Sequence, residues 1–272
     1  MDVIRIDGPD DLRVSAYRAV RDAELVRERG LFVAEGRLVV ERLIEERRFV
    51  VESLLLSEAA LRAIEPTLPA LPPGVPVYVC AAGDFLGITG YDVHRGCLAL
   101  AARPDACSLD TLLQHARTVV VLDGVTNADN VGGVFRNAAA FDVDAVLLDA
   151  SSCDPLYRKA IRTSMAATLR VPFARLAGPA RDWTTALAGL KDRGFTLVAL
   201  TPAGSARDLD EFAASARPDK LALLLGSESD GLSDASQAIA DHRVRIPIRP
   251  AVDSLNLAVA AGIALHRLTR QL

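Results

Sequence analysis

Two hydrophobic patterns divide the chain. In the first hundred residues short apolar runs alternate with helical spacing. Residues 11–29 put Leu12, Val14, Tyr17 and Leu25 on one side of an amphipathic helix, with charged residues opposite. LFVAEG (31–36) reads as a short strand, and RLVVERLIEER (37–47) returns to helical spacing. FVVESLLLS (49–57) is strand-like and leads into a short helix. Pro66, Pro69, Pro72, Pro73 and Pro76 then make a loop before the strand VPVYVC, and CLALAAR (97–103) supplies one more strand. This alternation predicts a small α/β sandwich over residues 1–105. Pro104 and the polar stretch after it mark a linker with a helix near 109–116, together residues 106–117.

From residue 118 the strand candidates are apolar throughout: TVVVLDGV (118–125), AVLLDA (145–150), TLVALT (196–201), LALLLGS (221–227) and VRIPI (244–248). Such runs suit strands covered on both faces of a mostly parallel sheet. TNADN reads as a polar loop before a helix through VFRNAAAF, and the last helix starts at Ser254 as its N-cap. Residues 118–272 therefore predict a second α/β domain, built on a mostly parallel sheet. There is no internal repeat and no low-complexity segment.

Composition narrows the function classes. Half of the 272 residues are apolar and 24% are charged, as in an ordinary globular protein. No apolar run approaches the ~20 residues of a membrane span. The N-terminus lacks a basic segment followed by an apolar one, so a cytoplasmic protein is expected. The four cysteines form no C-x-x-C pair and the four histidines show no ligand spacing, which predicts no metal site. Residues 1–105 carry 13 basic and 17 acidic side chains, and the remainder carries 18 of each, for a net charge of −4. A nucleic-acid footprint must then be a local patch.

Ligands of an open parallel sheet bind beyond the carboxyl ends of its strands. Three loops there are rich in small and polar residues: Asn127–Asn137, Gly226–Ser233, and Ile246–Pro247 with Asp253–Asn256. None contains the dinucleotide or phosphate-loop glycine pattern. Taken singly, Gly132 and Gly133 could serve close packing, Gly226 and Gly231 a turn, and Ser254 a cap. Their joint order carries more. N-x-G-x-x-x-R at Asn130–Arg136, G-x-E-x-x-G-x-S at Gly226–Ser233, and I-P followed by S-L-N at Ile246–Asn256 resemble the three motifs of the SpoU (TrmH-type) RNA ribose 2′-O-methyltransferases. Those enzymes belong to the knotted SPOUT superfamily. The resemblance extends through CDPLYR (153–158) and Arg162–Met165, while FVAEG and HRGCLALA (94–101) look like the family's accessory substrate-binding domain. The chain departs from the usual pattern at Asp129, Ser229, Ala166 and Asp142, where the family tends to have glycine.

The resemblance implies a C-terminal trefoil knot, S-adenosylmethionine as methyl donor, a homodimer, and RNA as substrate. The accessory domain favours ribosomal over transfer RNA. The donor pocket would be lined by Thr201, Gly226, Ser227, Glu228, Gly231, Ile246 and Leu255. Arg136 would be the catalytic arginine, supported by Asn130, Glu228, Ser254 and Asn256, with Glu228 fixing Arg136 or Asn130. Arg136, with Arg158, Lys159 and Arg162, would contact RNA; Arg158 and Arg162 share a face if helical. A solvated helix face is the plain alternative for the last three. For the whole chain, the alternative is a weak or inactive RNA-binding member of the same fold, motivated by Asp129 and Ser229.

Overall fold

Strands form where β-branched and leucine-rich runs occur. In the computed structural model they are β1 (Val3–Arg5), β2 (Leu31–Glu35), β3 (Val51–Ser57), β4 (Val77–Cys80) and β5 (Cys97–Ala102), then β6 (Thr118–Asp123), β7 (Ala145–Leu148), β8 (Phe173–Arg175), β9 (Thr196–Leu200), β10 (Arg207–Asp208), β11 (Leu221–Gly226) and β12 (His242–Arg245). The structure describes residues 3–18, 22–91, 93–105, 108–176, 182–215, 217–249 and 251–269. Ala106 and Cys107 of the expected linker lie outside them. By their contacts the residues fall into two units, Met1–Asp105 with Pro155–Arg170, and Ala106–Asp154 with Val171–Leu272.

The first unit holds a five-stranded sheet in the order β1-β4-β3-β5-β2. β5 runs antiparallel to both neighbours and the remaining pairs are parallel. Its core gathers Val14, Tyr17, Leu25, Leu55, Phe85 and Leu98. The expected helix over 11–29 is instead a 3₁₀ segment, Leu12–Tyr17, capped by Asp11, and an α-helix, Asp22–Glu28, with residues 19–21 outside the described set. Three-residue spacing in the 3₁₀ segment buries Val14 and Tyr17, and leaves Leu12 80% exposed, against the expectation.

Residues 155–170 group with this unit rather than with the rest of 118–272, and their basic side chains give the reason. In the helix Arg158–Thr163, Arg158 Nε lies 2.5 Å from Asp22 Oδ1, and its guanidinium sits 4.3 Å above the Tyr91 ring. Arg162 stands 3.5 Å from the buried Glu35 carboxylate, and Arg170 pairs with Glu46 at 2.6 Å.

The second unit is a seven-stranded sheet, β10-β12-β9-β11-β6-β7-β8, with every pair parallel. Central β6 and β11 run in register from Leu221↔Thr118 to Gly226↔Asp123. Val119, Val121, Ala222 and Leu224 face one core with Leu187, Leu190 and Phe195, while Val120, Leu122 and Leu223 are equally buried. Both faces are covered, which is why these strands show no polar alternation.

Two helices position the site. Ala128–Ala140 begins inside the expected TNADN loop, because Asn127 Oδ1 accepts the Asp129 amide at 2.9 Å and caps it there. The last helix is Leu257–Leu268, and Asn256 rather than Ser254 caps it, its Oδ1 accepting from Ala258 N and Val259 N at 3.0 and 3.3 Å. These helices pack closely together. A Cβ on Gly133 would meet that of Ala258 at 2.5 Å, and Asn137 Nδ2 donates to the Ala258 carbonyl at 2.6 Å.

Candidate active site

The carboxyl ends of β9, β11 and β12 open onto one pocket of about 330 Å³. Thr201 contributes from the end of β9, Gly226, Ser227, Glu228 and Gly231 from the turn after β11, and Ile246 from beyond β12. Ser254 and Leu255 close it ahead of the last helix. All seven residues expected to line a cofactor pocket therefore do line this one.

The turn is built from its backbone. Ser227 N donates to Gly231 O at 3.0 Å and Gly231 N returns a bond to Ser227 O at 3.1 Å. Gly231 has φ +69°, in the left-handed region that glycine adopts without cost. A Cβ on Gly226 would fall 2.1 Å from the carbonyl carbon of Gly231. Gly226 is thus required by the turn folding back over it, rather than only by the approach of a ligand. Ser229, a departure from the family pattern, has no left-handed φ and fits without strain.

One amide joins the three motifs. Asn256 Nδ2 donates to Asn130 Oδ1 and to Glu228 Oε1, both at 3.0 Å, while its Oδ1 caps the last helix. Asn130 is buried, so its carbonyl needs this partner. Glu228 therefore reaches Asn130 through Asn256, and it does not bond Arg136. Arg136 is exposed and is not part of the pocket wall. It lies six residues beyond Asn130, about 9 Å further along the helix axis at ~1.5 Å per residue. It has no ion-pair partner among the described residues. Arg158 and Arg162 belong to the first unit and engage Asp22, Tyr91 and Glu35 within it, which commits Arg158 in particular to internal packing.

Two residues near the site escaped sequence reasoning. Asn137, next to Arg136, ties the two helices, and its four-residue spacing from Gly133 was the available signal. Asp123 ends β6 and binds the far end of the pocket turn through Ser233, 110 positions away. No local pattern marks such a contact. Among the described residues no cluster of His, Cys, Asp and Glu could hold a metal ion, and no helix is long and apolar enough to cross a membrane.

An all-parallel sheet with a backbone-built pocket at its carboxyl edge, tied by an Asn–Asn–Glu set, defines an α/β protein with a ligand site beyond its strand ends. Residues 117–266 match the SpoU rRNA Methylase family, and the chain belongs to it. An uncharacterized tRNA/rRNA methyltransferase of Mycobacterium tuberculosis is 40% identical over 274 residues, which cover 99% of this chain and 93% of the relative. Among solved structures, the fold resembles an AdoMet-bound rRNA methyltransferase of Sinorhizobium meliloti, with TM-score 0.80 and 23% identity over 98% of this chain and 97% of that one. It also resembles the SpoU methyltransferase AviRb of Streptomyces viridochromogenes, solved with AdoMet, with TM-score 0.76 and 22% identity over 95% and 97% of the two chains.

Proposed function

We infer that this protein transfers a methyl group from S-adenosylmethionine to a ribose 2′-hydroxyl of RNA, ribosomal RNA in preference to transfer RNA. The observation that carries this reading is the convergence of the three motifs on one pocket, with Asn256 joining Asn130 to Glu228. The pocket suits a nucleoside: its volume of about 330 Å³ falls at the lower end of small-ligand sites, and its walls mix apolar side chains with turn backbone. A preorganised backbone recognises an adenine edge without ordering long side chains.

S-adenosylmethionine supplies an activated methyl group, so the chain itself must provide alignment and an exit for the hydroxyl proton. Arg136 does not act as a base, because a guanidinium keeps its proton in proteins. Its planar fork instead clamps the phosphate next to the target ribose and orients the 2′-oxygen, while the proton leaves to water or phosphate. Asn130, Glu228 and Asn256 hold the pocket rim, and Ser254 offers a hydroxyl beside it.

Arg136 lies away from its own pocket, which supports a homodimer in which it serves the partner's. Val259 and Ile263, four residues apart on the last helix, are 52% and 38% exposed and offer an apolar face for that contact. A knotted C-terminus is part of the same reading. Its support is family membership, together with the seating of Ile246–Leu255 beside the 226–231 turn and of the last helix on Ala128–Ala140. Asp129, which motivated an inactive alternative, occupies the first helical turn, where the helix dipole favours a carboxylate. Ser229 fits its turn, so neither departure disables the site.

The test has two arms. Calorimetry should detect S-adenosylmethionine binding, and ribose-methylation mapping of total RNA from a deletion strain should reveal one lost 2′-O-methyl mark. Absence of binding at millimolar donor would remove the reading, and binding with no lost mark would favour the inactive alternative.

A further inference from the structure

The pocket turn is anchored at both ends to a single residue outside the pocket. It begins at Gly226, the register partner of Asp123 on the neighbouring strand. At its far end Ser233 gives Asp123 Oδ2 two hydrogen bonds, from N at 2.9 Å and from Oγ at 2.7 Å. Ser236 Oγ donates a third at 2.6 Å. Asp123 is 9% exposed, and Ser233 caps the helix Asp234–Ile239. The relay continues outward, since Trp183 Nε1 donates to Ser236 Oγ at 2.8 Å. Trp183 is the sole tryptophan of the chain.

We propose that Asp123 is a positioning residue that holds the 226–233 turn in its donor-receiving form, and that Trp183 reports the state of that turn through Ser236. This rests on the reading of the pocket as the S-adenosylmethionine site. A carboxylate oxygen accepts three donors at once, and a fixed acceptor at this point sets where the turn leaves the pocket wall. Removing it costs the buried Ser236 hydroxyl its acceptor and leaves the exposed Ser233 amide and hydroxyl to water, so the far end of the turn loses its fixed point. Asparagine keeps one acceptor oxygen without the charge and should restore part of the geometry. Ser233→Ala removes one of the three bonds and keeps the backbone contact, so it serves as a mild variant should Asp123→Ala fail to fold.

Calorimetric titration with S-adenosylmethionine and Trp183 emission, read on the full-length protein, test this together. Wild type should bind, with an emission change that saturates along the same isotherm. Asp123→Ala should raise Kd at least tenfold, Asp123→Asn by an intermediate factor, and Ser233→Ala about threefold. Emission of the unliganded Asp123→Ala protein should already differ from wild type. Ser236→Ala should lose most of the emission response while Kd stays within about threefold. RNA binding without donor should not change in any of them. If wild type binds and both Asp123→Asn and Ser233→Ala bind within twofold of it, the positioning role is overturned while the pocket reading stands. If wild type itself shows no binding, the pocket reading falls, and this proposal with it.

Discussion

Arg136 stands exposed on the helix that carries Asn130, outside the wall of its own chain's pocket. This placement separates binding from turnover. Arg136→Lys keeps the charge and loses the planar fork, so turnover should fall on the order of 10²-fold or more. Donor affinity should stay within twofold, because no pocket contact changes. Single-turnover methylation beside calorimetry measures both, and near-normal turnover would eliminate the clamp. At this scale the pocket-lining residues were legible because each belongs to a short motif with fixed spacing. The role of Glu228 was legible only in part, since its route to Asn130 runs through Asn256, 28 positions later. Gly226 was open to two readings, a turn and a pocket wall, and it is both: it lines the pocket, and the space it leaves is filled by Gly231 and Leu232.

Among elements, the helices Ala128–Ala140 and Leu257–Leu268 carry the site between them. Gly133→Ala would place a methyl 2.5 Å from the Ala258 Cβ, and neither backbone has a flexible end to yield. Overpacking of this kind costs about 1–3 kcal/mol. Urea denaturation should show that loss, and Ala258→Gly in the same chain should recover most of it. The first of these helices ends with Val143 N bonded to the Ala138 carbonyl and Asp142 at φ +53°, a Schellman closure that explains the glycine usual at this point. Asp142 is exposed, so Asp142→Gly relieves a left-handed conformation without losing packing. Net of added unfolded-state freedom, it should stabilise by about 0.5–1 kcal/mol in the same assay. Ala166, at φ +67°, also stands in for a glycine, but its methyl is fully buried and offsets the gain. Helix starts were the poorest reading: Asn127 and Asn256 outcompeted the more obvious polar stretch and Ser254. The choice between neighbouring caps is made by tertiary contacts, such as Asn137 to Ala258, that spacing does not reveal. The two-residue β10 and the three-residue β1 and β8 were too short to carry a pattern.

At the scale of the molecule, the first unit has a weakness toward alkali. Burial pushes the Cys97 thiol up from 9.0 to about 12 and the Cys80 thiol to about 11. Burial also raises the Tyr17 hydroxyl far above its usual value, although its bond to Ser53 opposes this. Each group stays protonated in the fold at a pH where the unfolded chain has already released the proton. The native state then binds more protons, so unfolding becomes easier as pH rises. Stability should be level below about pH 8 and decline from about pH 9 through 11 to 12. Urea midpoints across that range measure it, and Cys97→Ala should flatten the slope; an unchanged slope would assign the decline elsewhere. The strand-rich two-part plan was legible in the shift from alternating to continuous apolar runs. The assignment of residues 155–170 was not, because it depends on Asp22, Glu35 and Glu46, far back in the chain.

That assignment bears on how the polypeptide is made. Sheet strands β1 to β5 all lie within the first 102 residues, yet the unit they belong to is completed only when residue 170 emerges. By then β6 and β7 have also been synthesised, and β11, the other neighbour of β6, has not. The nascent chain must therefore keep two unfinished bodies apart during one stretch of elongation. A gene cut at residue 105 would leave the first unit without residues 155–170, which would travel with the second.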